Sequence, residues 1–472
     1  MLLDSYSTEN FFDEYMTATG EARSPVVAVV EWLQQRSLAE LEKIEQQAQQ
    51  ILDDLGAIYI VDGKKQVLPF DIIPRIIAAK EWQKLEAGLK QRVRALNLFC
   101  ADIYDRQQII SDGIIPENIV TSAVGFVPEC MGMKPPNDVW CHVSGIDLVK
   151  DKDGSWFVLE DNLRIPSGIA YALYNRSTMK QVTPQLLDKV AVEPIANYPQ
   201  ELLKTMQNNF LGDKKPTIAV ITPGSHETAY FEHSFLAEQM GAYLVEPKDL
   251  VIDDGYLKLH DDERLQQIDV LYRRANFDLL DKMPGNNYDS GTAAIIALCK
   301  QGKLAVANAV GTGVADDKVI YAYVPEMIRY YLDEEPLLSN VPTYLCWQES
   351  DRAYVLDNLD KLVVKAASGE GGKGMLIGNK ASQEERETFA QKIKAQPREY
   401  IAQPTLALSR IPTLVDGNIA GRHVDLRPYI LHQGDRLYVF PGGLTRVALV
   451  KDSLVVNSTQ GGGSKDTWIL AN

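Results

Sequence analysis

The sequence predicts a mixed fold, part α/β and part α+β, in which a small parallel, doubly wound unit is set within a larger helix-and-sheet framework. Three observations predict it. Strand-like apolar runs alternate with helical segments between about residues 215 and 310, the pattern of a parallel sheet wrapped by helices. Past residue 311 strand runs, a helix and a glycine-rich loop alternate as in an antiparallel α+β layer. In the first third, apolar residues fall in steps of three and four, as on helices.

The first element to justify is a helix between Pro74 and Gly113. Trp82, Leu85, Leu89, Val93, Leu96, Phe99 and Ile103 recur at helical spacing and mark a buried face. Pro74 near its start and Gly113 at its end fit helix boundaries. The plain reading is a structural helix, with Arg92 and Arg94 left to face a site or solvent. A hairpin follows from Gly145 to Asn162, two apolar runs around the turn Asp151-Lys152-Asp153-Gly154. A polar helical stretch then covers about Thr183 to Asn209.

KPTIAVITPG opens the parallel unit as a buried strand. YLVEP, IDVLYRR and KLAVANAV supply its other strands, and HETAYFEHSFLAEQMG and GTAAIIALCK its helices. After it, DKLVVK and MLIG read as strands around the glycine-rich loop. SQEERETFAQKIKAQ reads as a helix opened by a capping box, Ser382 with Glu385. YIAQP, VDLRPYIL and DRLYVFPGGLTRVAL read as antiparallel strands. The expected divisions are 1–140, 141–210, 211–312 and 313–472.

The 472 residues carry 48 basic and 64 acidic side chains, a formal charge of −16. That balance argues against a nucleic-acid partner, which favours a basic face, but leaves room for a small anion in a local basic pocket. No run of about 18 apolar residues occurs, so no membrane span is expected. The opening MLLDSYSTENFFDEY shows no secretory signal pattern. Five scattered cysteines without metal-site spacing read as reduced thiols of a cytoplasmic protein. The six histidines form no HExxH and flank no evident nucleophile.

Chemistry is concentrated in two places. Ser368-Gly369-Glu370-Gly371-Gly372-Lys373-Gly374 is dense in glycine, as a loop must be to bring backbone N–H groups against phosphate oxygens. It contains GxGxxG at Gly369, Gly371 and Gly374, but a strand follows rather than a helix, so a dinucleotide fingerprint is a poor match. A glycine loop between antiparallel strands fits a flap laid over ATP, with an ordinary flexible hairpin as the plain alternative. No HRD or DFG follows, which disfavours a kinase. Lys365, at a strand end four residues before the loop, is placed to meet the α- and β-phosphates.

The second place is the hairpin. With its turn centred between Lys152 and Asp153, Asp147 lies opposite Val158 and shares a face with Glu160 and Asn162. Asp147 and Glu160 are then diagonal neighbours able to share Mg²⁺, which takes hard oxygen ligands and few protein carboxylates. A register shifted by one residue would turn Asp147 to the other face. A solvated polar hairpin face has the same pattern.

With these residues assembled, the chain resembles the circularly permuted ATP-grasp family, type 2, to which the synthetase domain of glutathionylspermidine synthase is related. RALNLFCADIYD, GIDLV with LEDNLRIPSG, GVADDKVIYAYVPEMIRYYL, VVKAASGEGGKG, VDLRPYIL, PGGLTRVAL and GGGSKDTW carry the resemblance over nearly the whole chain. The permutation shows in the order, since the metal-type hairpin precedes the Rossmann-like unit and the lysines follow it. The resemblance implies a circularly permuted ATP-grasp fold. A helical region would occupy 1–140, the metal-carboxylate hairpin 141–210, an inserted Rossmann-like (pre-ATP-grasp) domain 211–312, and the lysines, glycine flap and remaining sheet 313–472.

It also implies roles. Asp147, Glu160 and Asn162 would hold Mg²⁺. Lys318 and Lys365 would bind ATP beneath the flap of Ser368, Gly369, Glu370, Gly371, Gly372, Lys373 and Gly374, with Gln403 at the adenine hinge. Arg446 would face the transferring phosphate and act in catalysis with Lys365 and Arg164. Arg164, Ser167 and Arg427 are candidates for carboxylate or phosphate contacts, or else surface or structural residues.

The sequence departs from the glutathionylspermidine enzyme in lacking anything like its cysteine amidase domain, and that enzyme's acceptor-binding residues have no clear counterparts. The chemistry therefore carries over and the substrates do not. The expected activity is an ATP- and Mg²⁺-dependent ligase that turns a small-molecule or short-peptide carboxylate into an acyl phosphate and joins it to an amine. A phosphotransferase without ligation would use the same ATP site, and a non-catalytic nucleotide-binding scaffold would keep the fold. The identities of acid and amine and the oligomeric state are not legible.

Overall fold

The computed structural model describes residues 3, 6–61, 64–261, 264–369, 374–454, 456 and 461–471. The chain enters its main sheet with β1 (Phe70–Ile77), and the long helix α1 (Ala79–Ile103) follows. Pro74 thus lies inside a strand, not at a helix start. The pairing of β1 with the C-terminal strand slips between Asp71 and Arg75, so the proline sits where a missing N–H breaks no ladder bond. Helix α1 ends at Ile103, short of Gly113, and a turn of helix from Gln108 to Ser111 fills the gap.

The hairpin forms β2 (Val143–Lys150) and β3 (Trp156–Asn162). Its register differs from expectation in two one-residue steps in the same direction, which together restore the face. Leu148, not Asp147, lies opposite Val158; Leu159 is then an extra residue on β3, and Asp147 comes to lie opposite Glu160. Leu85, Leu89 and Val93 of α1 cover the back of the hairpin, against Ile146, Leu148 and Val158. Helix α2 (Ile169–Val182) follows.

The parallel unit comprises β4 (Ile218–Ile221), α3 (Tyr230–Met240), β5 (Tyr243–Val245), β6 (Val270–Arg273), α4 (Gly291–Lys300) and β7 (Ala305–Ala307). Its strands run in the order β7-β6-β4-β5, all parallel. Between β5 and β6 the chain inserts a three-stranded antiparallel meander within 250–267, which the sequence pattern did not announce.

Next come β8 (Leu362–Ala366) and β9 (Leu376–Ile377), an antiparallel pair flanking the glycine loop, and β10 (Tyr400–Pro404), which pairs with β8. The intervening helix, Gln383–Ala395, has both halves of the Ser382–Glu385 capping box. Finally β11 (Asn418–Arg427), β12 (Leu444–Ala448) and β13 (Gly462–Ile469) complete the main sheet, which has ten strands among the described residues. Two strands expected as single runs are broken by proline. Pro428 separates β11 from Tyr429–Gln433, and Pro441-Gly442-Gly443 separates Arg436–Val439 from β12. At Gly443 a Cβ would lie 2.5 Å from the Arg427 carbonyl oxygen, so only glycine lets the two strands approach there. No helix among the described residues is long and apolar enough to cross a membrane.

Candidate active site

Successive side chains of a strand alternate between faces, so the Asp147–Glu160 pairing decides which residues meet. Asp147, Glu160 and Asn162 share the face that lines a cavity of about 850 Å³. Asp161 points the other way, where Arg92 holds it in two N–H bonds of 2.6 and 2.7 Å. Arg92 therefore braces the back of β3 rather than looking into the cavity, and Arg94 is an exposed residue beside Glu334.

Asp147 is fully buried. Arg427 of β11 donates to both its oxygens at 2.6 and 2.7 Å, and Arg446 of β12 donates to one at 2.7 Å. Arg446 is gripped in turn by Asp425, its cross-strand partner on β11. Burial alone would raise the Asp147 carboxyl, but the Arg427 and Arg446 guanidinium groups outweigh it and hold the group well below the usual carboxylate range. Glu160 is held more loosely, 3.5 Å from Lys318 and 3.8 Å from Arg427. The Nδ2 of Asn162 is buried with no hydrogen-bond partner among the described residues.

The lysines come from the other wall. Lys318 opens a turn of helix; its backbone N–H donates to the Ala367 carbonyl at 2.9 Å and its Nζ to that of Gly369 at 2.6 Å. It thus links the glycine loop to Glu160. Lys365 on β8 donates to Gln403 Oε1 on β10 at 2.8 Å. Burial pulls the Lys365 ammonium down to about 8, against the attraction of Glu160 and with the help of Lys318. Val363 and Ile377, neighbours of Gln403 on this small sheet, give that end of the cavity an apolar lining.

Ser368 and Gly369 line the cavity, and Gly374 takes a φ of +70° that suits glycine. Glu370, Gly371, Gly372 and Lys373 lie outside the described residues. Arg164 lines the same cavity from the side of the parallel unit, with its guanidinium 3.4 Å from the Asn276 side chain. Ser167 accepts from Arg274 at 2.7 Å, and its carbonyl accepts from Tyr429 and Arg427. It helps hold Arg427 in place.

Two residues important to this geometry were not singled out by sequence. Asp425 anchors Arg446. Asn308, just past β7, accepts the Val143 N–H at 2.7 Å and donates to the carbonyls of Val143 and Leu163 at 2.7 and 2.6 Å. One side chain therefore ties both ends of the hairpin to the parallel unit. The only sequence signal for it is an asparagine inside an apolar run.

The donor set fits Mg²⁺ and a polyphosphate. Two carboxylates and an amide present hard oxygens on one face of the hairpin, and Lys318, Lys365, Arg427 and Arg446 surround them. Among the described residues no group of three His, Cys, Asp or Glu side chains could hold a metal alone.

The sequence model describing the circularly permuted ATP-grasp type 2 family matches residues 74–448. An uncharacterised protein of Synechocystis sp. is 55% identical over 100% of this chain and 99% of its own. A Frankia alni protein, named as a glutamate–cysteine ligase by provisional assignment, is 41% identical over 99% of this chain but only 55% of its own length. The structure of a glutathione synthetase-like effector from Globodera pallida superposes with a TM-score of 0.59, at 12% identity, over 92% of this chain and 98% of that one.

Proposed function

The chain belongs to the circularly permuted ATP-grasp type 2 family, and on that premise we propose that it is an ATP- and Mg²⁺-dependent ligase that activates a carboxylate as an acyl phosphate and joins it to an amine. The observation that carries this reading is one cavity in which the Asp147–Glu160 face meets Lys318, Lys365 and the start of the glycine loop. The ligase name of the Frankia protein supports the same reaction class. The chain's five cysteines are all unpaired, which supports a reducing, cytoplasmic setting.

Mg²⁺, held by Asp147, Glu160 and Asn162, would supply charge neutralisation at the phosphates. The rest is work for the chain's own side chains, mainly positioning and preorganised electrostatics. Lys318 and Lys365 bind phosphate oxygens, and the apolar lining beside Gln403 takes the adenine. Arg427 and Arg446 are fixed in advance by Asp147 and Asp425, so little reorganisation is needed as charge moves toward the leaving ADP. The substrate carboxylate oxygen bonds to the γ-phosphorus as ADP leaves. The amine then attacks the acyl carbon, phosphate departs, and the nitrogen loses a proton. Excluding water from the cavity during turnover would limit hydrolysis of the acyl phosphate.

The test is ADP release across a panel of carboxylic acids, with hydroxylamine as a general acceptor. Hydroxamate that requires ATP, Mg²⁺ and an acid together supports ligation. ADP release with a phosphorylated product but no hydroxamate would instead mark a phosphotransferase, and ATP binding with no ADP release would leave a nucleotide-binding scaffold.

A further inference from the structure

The end of the cavity away from Lys365 is walled by the parallel unit. Thr222 follows β4 and Arg274 follows β6, adjacent strands from which the chain departs in opposite directions along the sheet. Ligands of open parallel sheets collect at such a switch point, beyond the carboxyl ends of the strands. Two nitrogens there are buried without a hydrogen-bond partner among the described residues: Nε2 of His233, in the first turn of α3, and Nε of Arg274. His233 is 1% exposed and Arg274 2%, and both line the cavity.

The neighbours decide what these nitrogens offer. The Thr222 hydroxyl oxygen accepts the Gly224 N–H at 3.3 Å and lies 2.9 Å from His233 Nδ1. A hydroxyl donating to Nδ1 leaves the single ring proton on Nε2, the tautomer in which the Thr222 hydroxyl both donates and accepts. Burial, and then the charge of Arg274, keep the imidazole neutral, its pKa lowered to about 2. Arg274 directs its other nitrogens to the Pro166 carbonyl, Ser167 Oγ and Glu232. Glu232 is occupied in turn by the N–H groups of Gly168 and Ala170. Two N–H donors thus remain, and the nearest buried carboxylate is already engaged. An ammonium brings only further donors and would leave both orphaned; an oxygen acceptor satisfies them. The acids Glu227 and Asp278 also line this end but are more exposed.

We propose that His233 Nε2–H and Arg274 Nε–H form a donor pair that binds a carboxylate or carbonyl oxygen of the acid substrate, so that the parallel unit selects the acid. The inference rests on the ligase reading for calling the ligand a substrate; the donor pair itself does not.

The probes are the twenty common amino acids with succinate and glutarate as acids, and putrescine and spermidine as amines, each titrated calorimetrically into the wild-type chain, His233→Ala and His233→Gln. An acid should bind the wild type, with affinity falling roughly 10- to 100-fold in His233→Ala, the effect of losing a hydrogen bond to a charged acceptor. His233→Gln, which keeps an N–H donor, should retain binding to within a few-fold, and Mg·ATP affinity should stay unchanged in both. Equal acid affinity in His233→Ala, binding of the amines alone, or no acid bound by the wild type would each overturn the donor pair. Failure of the two readings is separable. Acid binding that depends on His233 without any hydroxamate formation keeps the pair and removes ligation. Hydroxamate formed by His233→Ala with an unchanged KM for the acid removes the pair and keeps ligation.

Discussion

Asp147 and Glu160 face each other across one strand pair, yet neutralising them is expected to have different consequences. Asp147 is fully buried and receives charge-assisted bonds from Arg427 at 2.6 and 2.7 Å and from Arg446 at 2.7 Å. Asp147→Asn keeps the shape but removes the charge these guanidinium groups share. Breaking one partner of a buried pair costs about 3–5 kcal/mol. Arg446 keeps Asp425, so the lower end, about 3 kcal/mol, is expected. Glu160 has a 27% exposed side chain and ion pairs of 3.5 and 3.8 Å. Glu160→Gln should therefore shift stability by less than about 1 kcal/mol while losing the Mg²⁺-dependent part of ATP binding. Urea unfolding at pH 7 reads the first quantity, and ATP titration with and without Mg²⁺ the second. The pH dependence has a definite sign. A carboxyl held low in the folded state contributes fully above its unfolded pKa of about 3.9, and the contribution fades as pH falls below that. The gap between wild type and Asp147→Asn should thus be constant from about pH 5 to 8 and narrow in acid. Equal stability losses in the two variants, or a gap that widens in acid, would refute this account.

Other perturbations follow from the same geometry. Lys365, depressed to about 8, loses its charge as pH rises, so ATP affinity should weaken between about pH 7 and 9; Lys365→Arg, whose charge persists, should flatten that profile in titrations. The same depression means the unfolded chain binds the extra proton between about pH 8 and 10.4, so this lysine's contribution to stability rises with pH there, as unfolding measurements on Lys365→Met would show. Asn308→Ala leaves the Val143 N–H and two carbonyls unpaired and should cost about 2–4 kcal/mol in urea unfolding, with hydroxamate yield falling as the hairpin ends loosen. Gly443→Ala places a methyl 2.5 Å from the Arg427 carbonyl oxygen. It should lower stability by about 1–3 kcal/mol and weaken ATP binding by displacing Arg427, both measurable by thermal unfolding and titration.

What the sequence revealed follows from the range of the interaction concerned. The buried stripe of α1 and the apolar strands of the parallel unit are local periodicities, and each turned up where expected. Register is not local. The strand pairing starts one residue out of its expected register, the extra Leu159 adds a second residue to that shift and so restores the face, and Asp147 and Glu160 meet directly rather than diagonally. No period-two pattern announces a bulge that restores a face. The grip of Arg427 and Arg446 on Asp147 joins residues 280 and 299 apart in the chain. Only the placing of β11 and β12 beyond β2 creates it. His233 reads from sequence as one of several structural histidines. Its unpartnered nitrogen becomes visible only when the turn after β4 sets Thr222 against the ring.

Chain order matters less to this site than sheet order. The main path runs β3, β2, β11, β12, β13, β1, so strands from both ends of the chain lie side by side, with β13 parallel to β1. Asp147 meets Arg427 and Arg446 because β2 adjoins β11 and β11 adjoins β12, whichever is made first. A permuted chain can therefore present the same carboxylates to the same cations, provided each strand keeps its neighbours. What permutation does change is how the pieces are tied. The hairpin precedes the parallel unit in sequence, so its position over the cavity depends on side-chain links such as Asn308 rather than on a short covalent connection to the lysine-bearing sheet. The geometry of the proposed phosphate site thus rests on a few buried polar contacts between distant segments, and those contacts, more than the loop glycines, are where a conservative substitution should disable the chain.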